Sequence, residues 1–291
     1  MNWTLLILAG VLYGVGVIIL RAGSRRGTTT WGLALYFGLT PCIVGMALGW
    51  SWVVRVGLGY GWAPLAMGLM VVAAIWASAE ALRRGPTGPF FLVQNFSLVI
   101  PVAASILFYG ESLGLWRAAG LGLTVVALVL IRGADGKRRP AVADPSGGRG
   151  WFFYTMISVL LFGAVQVIMR DGAARYEHDN AALAGFVVLS YLGEVLGACV
   201  GLAVSRHRPT RADAAWGTAH GVVTAAGFAM SMFALKALGG VLLFPARFMA
   251  SAAVVILLAV IIFKERPNAR TAVGIALGIA AVVLLGIKAS G

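Results

Sequence analysis

The segment ILFYGESLGLWRAAGLGLTVVALVLI, from Ile106 to Ile131, decides the fold because its pattern returns near the C-terminus. The second copy starts at Val260 and reads VIIFKERPNARTAVGIALGIAAVVLLGI. In each copy an apolar run ends in a glutamate, Glu111 or Glu265, crosses a short polar link that contains arginine, and enters a second apolar run. A repeat of this kind indicates two versions of one helical unit in the chain.

The composition is typical of an integral membrane protein. Hydrophobic residues fill 60% of the 291 positions, charged residues only 11%, and the mean hydropathy is +0.92. Soluble domains carry about 25% charged residues. The net charge of +13 comes from Lys and Arg at the ends of apolar runs, which predicts membrane orientation and no nucleic-acid partner.

About 20 apolar residues are needed to cross a bilayer as a helix, so this chain has room for about ten crossings. The linker 133–150 separates a first five-helix repeat, 1–132, from a second, 151–291. Because each repeat has an odd number of helices, the second is expected to be inverted, which is a common construction in transporters that open one central site to either side. The predicted helices are roughly Trp3–Leu20, Trp31–Trp52, Ala63–Leu82, Gly88–Tyr109, Leu115–Ile131, Trp151–Met169, Ala181–Val204, Asp213–Lys236, Gly240–Phe263 and Ala269–Ile287.

The apolar run, the Gly110-Glu111 corner and the Gly-rich closing helix resemble the EamA-type repeat of the drug/metabolite transporter superfamily. The resemblance covers the chain from about Trp3 to Ile287. It implies an all-α protein with ten transmembrane helices in two inverted halves, placed in the cell (inner) membrane. The small four-helix relatives use an acidic residue in the first helix for proton-coupled export. Helix 1 of this chain has Tyr13 and glycines in its interior instead.

The orientation of the termini receives two opposite predictions. Most Lys and Arg lie in the links that follow odd-numbered helices, and this bias puts both termini outside the cytoplasm. Members of the resembled family more usually have both termini inside. The sequence also leaves open whether the protein is a monomer or a homodimer.

Two charged residues lie deep in predicted helices. A charge near the bilayer centre costs at least about 2.5–3.5 kcal/mol, so each needs a partner or a wet cavity. Glu194 is near the middle of helix 7, where it either binds substrate or is a protonated or hydrogen-bonded packing residue. Arg247 lies about two turns inside helix 9 and could pair with Glu194, act as a gate, or bind a substrate carboxylate or phosphate. Pro245 is expected to free a carbonyl and distort that helix.

Neutral polar and aromatic residues complete the predicted substrate site. The repeat offset places Gln94 and Asn95 in the region of helix 4 that matches Arg247, where their amides either line the same cavity or bond across helices. Four further residues lie inside apolar helices and could line a cavity or pack within the bundle. These are His220, Gln166, Trp76 and Tyr191. With no acid in helix 1, proton coupling would fall to Glu194 or His220.

Other residues are interpreted as structural. Glu80 is followed by Arg83 and Arg84 at helical spacing, which predicts a local ion pair. Glu111 and Glu265 are interpreted as corners of the repeat. Glycines at four-residue spacing predict close helix packing in lipid, as at Gly45 and Gly49 in helix 2 and at Gly193, Gly197 and Gly201 in helix 7.

The sequence thus predicts a secondary active or facilitative transporter, and more specifically an exporter, that moves a small polar metabolite by alternating access. One deep acid and one deep base suit a zwitterion such as an amino acid, or a related amine, and a sugar or an organic anion stays open as the substrate. A Gly-rich ATP-binding loop is not seen, and no cofactor or metal is expected. A lipid-carrier flippase is the alternative, followed by an integral membrane enzyme, which scattered histidines and the lack of an acidic doublet disfavour.

Overall fold

A computed structural model describes the chain except for residues 1, 25, 58, 86–89, 91–92, 133–146, 264–268 and 287–291. Every regular element among the described residues is helical. A 3₁₀ turn, Asn95–Leu98, leads into the fourth helix. The α-helices are α1 Asn2–Ser24, α2 Thr30–Val56, α3 Trp62–Arg84, α4 Val99–Tyr109, α5 Leu115–Arg132, α6 Gly147–Arg175, α7 Asn180–Ser205, α8 Arg211–Leu238, α9 Gly240–Phe263 and α10 Ala269–Gly286.

Seven of the described helices are long and apolar enough to cross a membrane, namely α1, α2, α3, α6, α7, α8 and α9. The helices α4, α5 and α10 contribute shorter apolar segments. These lengths confirm the expectation of a multi-pass helical protein. The inverted five-plus-five arrangement stays a prediction.

The last four positions of the predicted linker 133–150 are helical in the structure, because α6 begins at Gly147 and continues to Arg175. The predicted bounds of this helix were those of its apolar run. In the structure the helix extends beyond the run at both ends, into residues that include glycine and arginine. The division into two repeats and a linker stays a prediction. The rest of the linker, 133–146, and the Glu265 corner lie outside the described residues.

Contacts divide the chain into two compact units, each built from two separate stretches of sequence. The first unit combines Met1–Ala73 with Ile168–Ala237, and the second combines Ala74–Val167 with Leu238–Gly291. The helices α3 and α6 therefore contribute to both units. The predicted repeats 1–132 and 151–291 were defined by a recurring sequence pattern, whereas these units are defined by contacts. The two repeats stay a prediction.

In the first unit, α7 packs closely along α2 and α3 at glycines. A Cβ atom at Gly45 would collide with the Val188 side chain, and one at Gly193 would collide with the main chain of Leu65. The prediction of close packing is confirmed at these positions. Gly49 has a different role, because its non-helical φ of −165° and ψ of 75° place a kink inside α2.

The chain passes from α8 into α9 through Gly239, whose φ of 73° is in the left-handed region that favours glycine. The helix α9 then runs without a break through Pro245, where a distortion was predicted. The N–H of Leu243 already bonds to the Gly239 carbonyl at 3.1 Å, so helical bonding begins before the proline. Because Pro245 lies in the second turn, its missing N–H costs a single hydrogen bond.

Candidate functional site

Glu194 lies on the buried face of α7, between α2 and α3 in the first unit. Its exposed fraction is 5%. Glycines allow both neighbouring helices to approach it. A Cβ atom at Gly38 would lie 3.1 Å from the Glu194 Cβ, and one at Gly68 would meet the Ser190 carbonyl oxygen. The main chain of α7 around Glu194 and the base of its side chain are therefore closely packed.

The Oε2 atom of Glu194 is buried and has no hydrogen-bond partner among the described residues. A buried polar atom that lacks a partner costs about 1–3 kcal/mol, and an unpaired buried charge costs more. Groups of this kind in a membrane-spanning helix usually serve a substrate, an ion or a proton. This oxygen is the strongest signal for a functional site in the first unit.

Tyr191 precedes Glu194 by about one turn of α7 and is buried as well. Its hydroxyl interacts with the Thr224 side chain and lies within electrostatic range of Glu194 and Tyr13. The Tyr191 ring packs edge-on against Phe37, with ring centroids 5.7 Å apart. The carboxyl group is thus accompanied by a phenol and a hydroxyl from α7 and α8.

His220 joins this group through Phe37. The two rings stack with centroids 4.8 Å apart and an interplanar angle of 28°. The Nδ1 atom of His220 lies 2.9 Å from the Gly16 carbonyl oxygen. A carbonyl oxygen only accepts, so Nδ1 carries the hydrogen and Nε2 remains an acceptor in the neutral ring. The first unit therefore brings together three predicted site residues, Glu194, Tyr191 and His220.

The other predicted residues lie in the second unit. The Gln94 Oε1 atom accepts a hydrogen bond from the Ser158 hydroxyl at 2.9 Å. Gln166 is buried, and its Nε2 donates to the Phe162 carbonyl oxygen at 3.3 Å. The Trp76 ring meets Tyr154 edge-on, with centroids 5.5 Å apart.

Arg247 is buried in α9, and its guanidinium lies 5.7 Å from the centre of the Phe244 ring. Because Arg247 belongs to the second unit and Glu194 to the first, the predicted pairing between them stays a prediction. The side chain of Asn95 lies outside the described residues.

Two structural interpretations are confirmed in the second unit. Glu80 pairs with Arg83 at 3.0 Å and with Arg84 at 3.2 Å, as the helical spacing predicted. The Glu111 carboxylate accepts hydrogen bonds from the N–H groups of Gly240 and Val241. Its role is thus to cap α9 at the corner between α4 and α5.

The sequence reasoning missed Asp213, which has no exposed surface at the start of α8. Its carboxylate accepts from the Thr210 N–H at 2.8 Å and from the Thr29 N–H at 2.7 Å. The Asp213 N–H in turn donates to the Thr210 hydroxyl, which makes a capping box. The spacing Thr210-x-x-Asp213 could have revealed this box, but not the bond to Thr29.

A second cluster lies at the link between α2 and α3. Helical spacing predicted an ion pair between Asp171 and Arg175 of this cluster, but not their contacts with Tyr60. The Tyr60 hydroxyl donates a hydrogen bond to the Asp171 carboxylate. The Arg175 guanidinium lies 4.5 Å from the centre of the Tyr60 ring. The Tyr176 hydroxyl donates to the Val56 carbonyl oxygen at 2.7 Å. These bonds fasten the end of α6 to the end of α2 within the first unit.

The helices and buried polar groups place the protein in the class of multi-pass helical membrane proteins. No known protein family and no curated protein matches the sequence. Solved structures do match. One of them is described as "Crystal structure of protein" and superposes on this chain with a TM-score of 0.71 at 18% sequence identity. The match covers 98% of this chain and 98% of the other chain. At that identity the likeness establishes a shared fold.

Proposed function

We propose that this protein is an EamA-type transporter of the drug/metabolite transporter superfamily, which moves a small polar metabolite across the cell membrane by alternating access. The observation that carries the proposal is the buried carboxyl group of Glu194, whose Oε2 has no hydrogen-bond partner among the described residues. The seven long apolar helices support the membrane setting.

A zwitterion such as an amino acid, or a related amine, suits this site. The ammonium group of such a ligand would be a cationic partner for the Glu194 carboxylate. Aromatic rings favour a neighbouring cation through their negative faces, and Tyr191 and Phe37 provide such rings. The proposed anion-binding or gating role of Arg247 rests on its burial in α9.

Proton coupling follows from the same carboxyl group. With no substrate bound, an ionised Glu194 would be an unpaired charge in a dry environment, so a proton is the favoured occupant. Binding of a cationic group then releases that proton. This exchange would couple export of the substrate to the inward movement of protons down their gradient.

Transport by Glu194→Gln in proteoliposomes tests the proposal. Counterflow of radiolabelled amino acids and amines is measured with and without an imposed pH gradient. We expect at least about a tenfold loss of transport, with a folded protein that elutes as the wild type does. Glu80→Gln is the matched control, because Glu80 belongs to a partly exposed ion pair. Unchanged transport by Glu194→Gln would show that the site is assigned wrongly.

The alternative of a lipid-carrier flippase requires a basic headgroup pocket beside an apolar groove. An apolar cleft of about 210 Å³ does lie in the second unit, between α4 and α5 and against Pro245. Its lining residues are apolar apart from Thr124, so this cleft does not supply the basic pocket.

Turnover of a substrate without vectorial movement would favour a membrane enzyme instead.

A further inference from the structure

The apolar cleft of the second unit has a buried floor and an exposed rim. Leu98, Val102 and Thr124 line the cleft and are buried, and we call them the floor. The rim includes Val99 on α4 and Val125 on α5, whose exposed fractions are 52% and 43%. The cleft is therefore open to the surface of the protein along one side.

The cleft follows α5 along its axis. Leu121, Val125 and Val129 line it at four-residue spacing and so form one stripe of this helix. Eight residues of helix rise extend over about 12 Å. Leu98 and Val102 line the other wall, where the 3₁₀ turn passes into α4. The space between the two walls is thus elongated in the direction of the helix.

The described lining offers almost no polar group to an occupant. The hydroxyl of Thr124 donates to the Gly120 carbonyl oxygen of its own helix at 2.8 Å. Pro245 contributes a ring and has no N–H. A buried water molecule needs two to four polar partners, so water is a poor occupant of this space.

The size of the cleft suits a hydrocarbon. Apolar cavities of about 150 Å³ stay dry and bind molecules such as benzene. This cleft is larger, at about 210 Å³. Gly122 adds open space on the α5 wall, because no atom lies within 4 Å of a Cβ at that position. Several methylene groups can therefore enter between α4 and α5.

The rim belongs to a surface that faces lipid. The cleft-lining residues of α5 lie within the apolar segment Leu115–Leu130. Beside the cleft, Val126 on α5 and Leu107 and Phe108 on α4 are exposed as well. In a membrane-spanning protein the neighbour of such a surface is the hydrocarbon core of the bilayer. Acyl chains are thus the nearest apolar molecules to the opening.

We propose that the cleft binds an acyl chain of a membrane phospholipid. The chain enters across the rim and lies between the stripe on α5 and the wall formed by Leu98 and Val102. Lipid chains are as apolar as leucine, so transfer from water does not drive this binding. The chain is held by dispersion, because in the cleft carbon atoms contact it from both walls.

A side chain from a second copy of the protein is the competing occupant. The stripe on α5 covers about 12 Å, which is longer than an aliphatic side chain and would leave part of the cleft empty. Empty space of this kind forfeits contacts for the atoms that line it. An acyl chain runs along the helix direction in a bilayer and can fill the whole length.

The test uses phosphatidylcholine that carries a diazirine in the middle of one acyl chain. The full protein is placed in nanodiscs that contain this lipid and is irradiated, and labelled residues are identified by mass spectrometry. We expect label on the floor at a yield at least about threefold above that on Ala127 and Leu128, because dispersion contacts hold the chain in the cleft. Those two residues are equally buried on α5 and do not line the cleft.

Two variants fill the cleft from opposite walls. Gly122→Leu places a side chain in the open space on α5, and Val99→Phe enlarges a rim residue on α4. Each should lower the label on the floor by at least about threefold, since space filled by protein atoms is closed to the chain. Val126→Phe is the matched control. Val126 is exposed on α5 outside the cleft, and this change adds as many carbon atoms as Gly122→Leu.

Three results would overturn the proposal. They are a yield on the floor no higher than on Ala127 and Leu128, an unchanged yield in both filling variants, and an equal loss of label in Val126→Phe. In the first case a dimer in the same nanodiscs would assign the cleft to a second copy. The thermal midpoint of each variant verifies that it is folded. Because the readout is lipid bound to the second unit, it is independent of transport and of Glu194.

Discussion

The carboxylate of Glu111 bonds to the first N–H of α9, with 2.8 Å between Oε1 and the nitrogen of Gly240. Its other oxygen accepts from the Val241 N–H at 2.9 Å. A carboxylate at this place also faces the positive end of the helix dipole. A glutamate that follows α4 in sequence thus stabilises the start of a helix more than a hundred residues later.

Glu111→Ala should lower the stability of the folded protein. It leaves the two N–H groups of Gly240 and Val241 without an acceptor, at a cost of about 1–2 kcal/mol. Glu111→Gln keeps one acceptor oxygen and should cost less. The thermal midpoint of unfolding is measured in detergent, with fluorescence-detected gel filtration as the readout. A midpoint for Glu111→Ala equal to that of Glu80→Ala would contradict the capping role.

Gly68→Ala should destabilise the first unit. The added methyl group would collide with the Ser190 carbonyl oxygen and force α3 away from α7. Backbone shifts of this kind cost about 1–3 kcal/mol. Gly122→Ala is the matched control, because no atom lies within 4 Å of a Cβ at that position. Its thermal midpoint should be equal to or above the wild-type value, since alanine is the better helix former by about 1 kcal/mol.

Asp213→Ala should cost about 2–4 kcal/mol. The change removes the capping box of α8 and leaves the N–H of Thr29 without its acceptor. Asp213→Asn keeps one carbonyl oxygen and should lie between the alanine variant and the wild type. Thermal midpoints of the three proteins check this order. Asp213→Asn falling below Asp213→Ala would show that the carboxylate acts in another way.

Asp179 should make the stability of α7 depend on pH. The N–H groups of Ala182 and Ala181 donate to its carboxylate, and Arg55 lies 3.6 Å away. The N–H of Ala182 in particular holds the pKa of Asp179 below its ordinary value. A group with a lowered folded pKa stabilises the fold above its unfolded pKa, about 3.9, and loses that contribution as the pH falls through the folded value.

Asp179→Ala isolates this effect. The difference in thermal midpoint between the wild type and the variant should be constant from about pH 5 to pH 8 and should shrink below about pH 4. Glu80→Ala provides the comparison for acid effects that are common to the whole protein. A difference that grows on acidification would contradict the assignment.

The residues Glu80, Glu194 and Asp213 show how much of the structure could be predicted from the sequence. The ion pair of Glu80 with Arg83 and Arg84 follows from helical spacing alone, and the structure confirms it. The depth of Glu194 in α7 follows from the length of the apolar run. The partner of Asp213 at Thr29 could not be predicted, because nothing local links two positions so distant in sequence.

The sequence by itself determined that the chain is helical, how its long apolar segments are spaced, and which polar groups lie deep within them. These properties depend on hydrophobicity and helix rise, which are local and can be evaluated from consecutive residues. Only the tertiary structure decided that Glu194 Oε2 has no hydrogen-bond partner among the described residues, that Ser158 is hydrogen-bonded to Gln94, and that Glu111 caps α9. Such pairings depend on how each helix is rotated and which glycines let its neighbours approach, and this is settled when the helices pack.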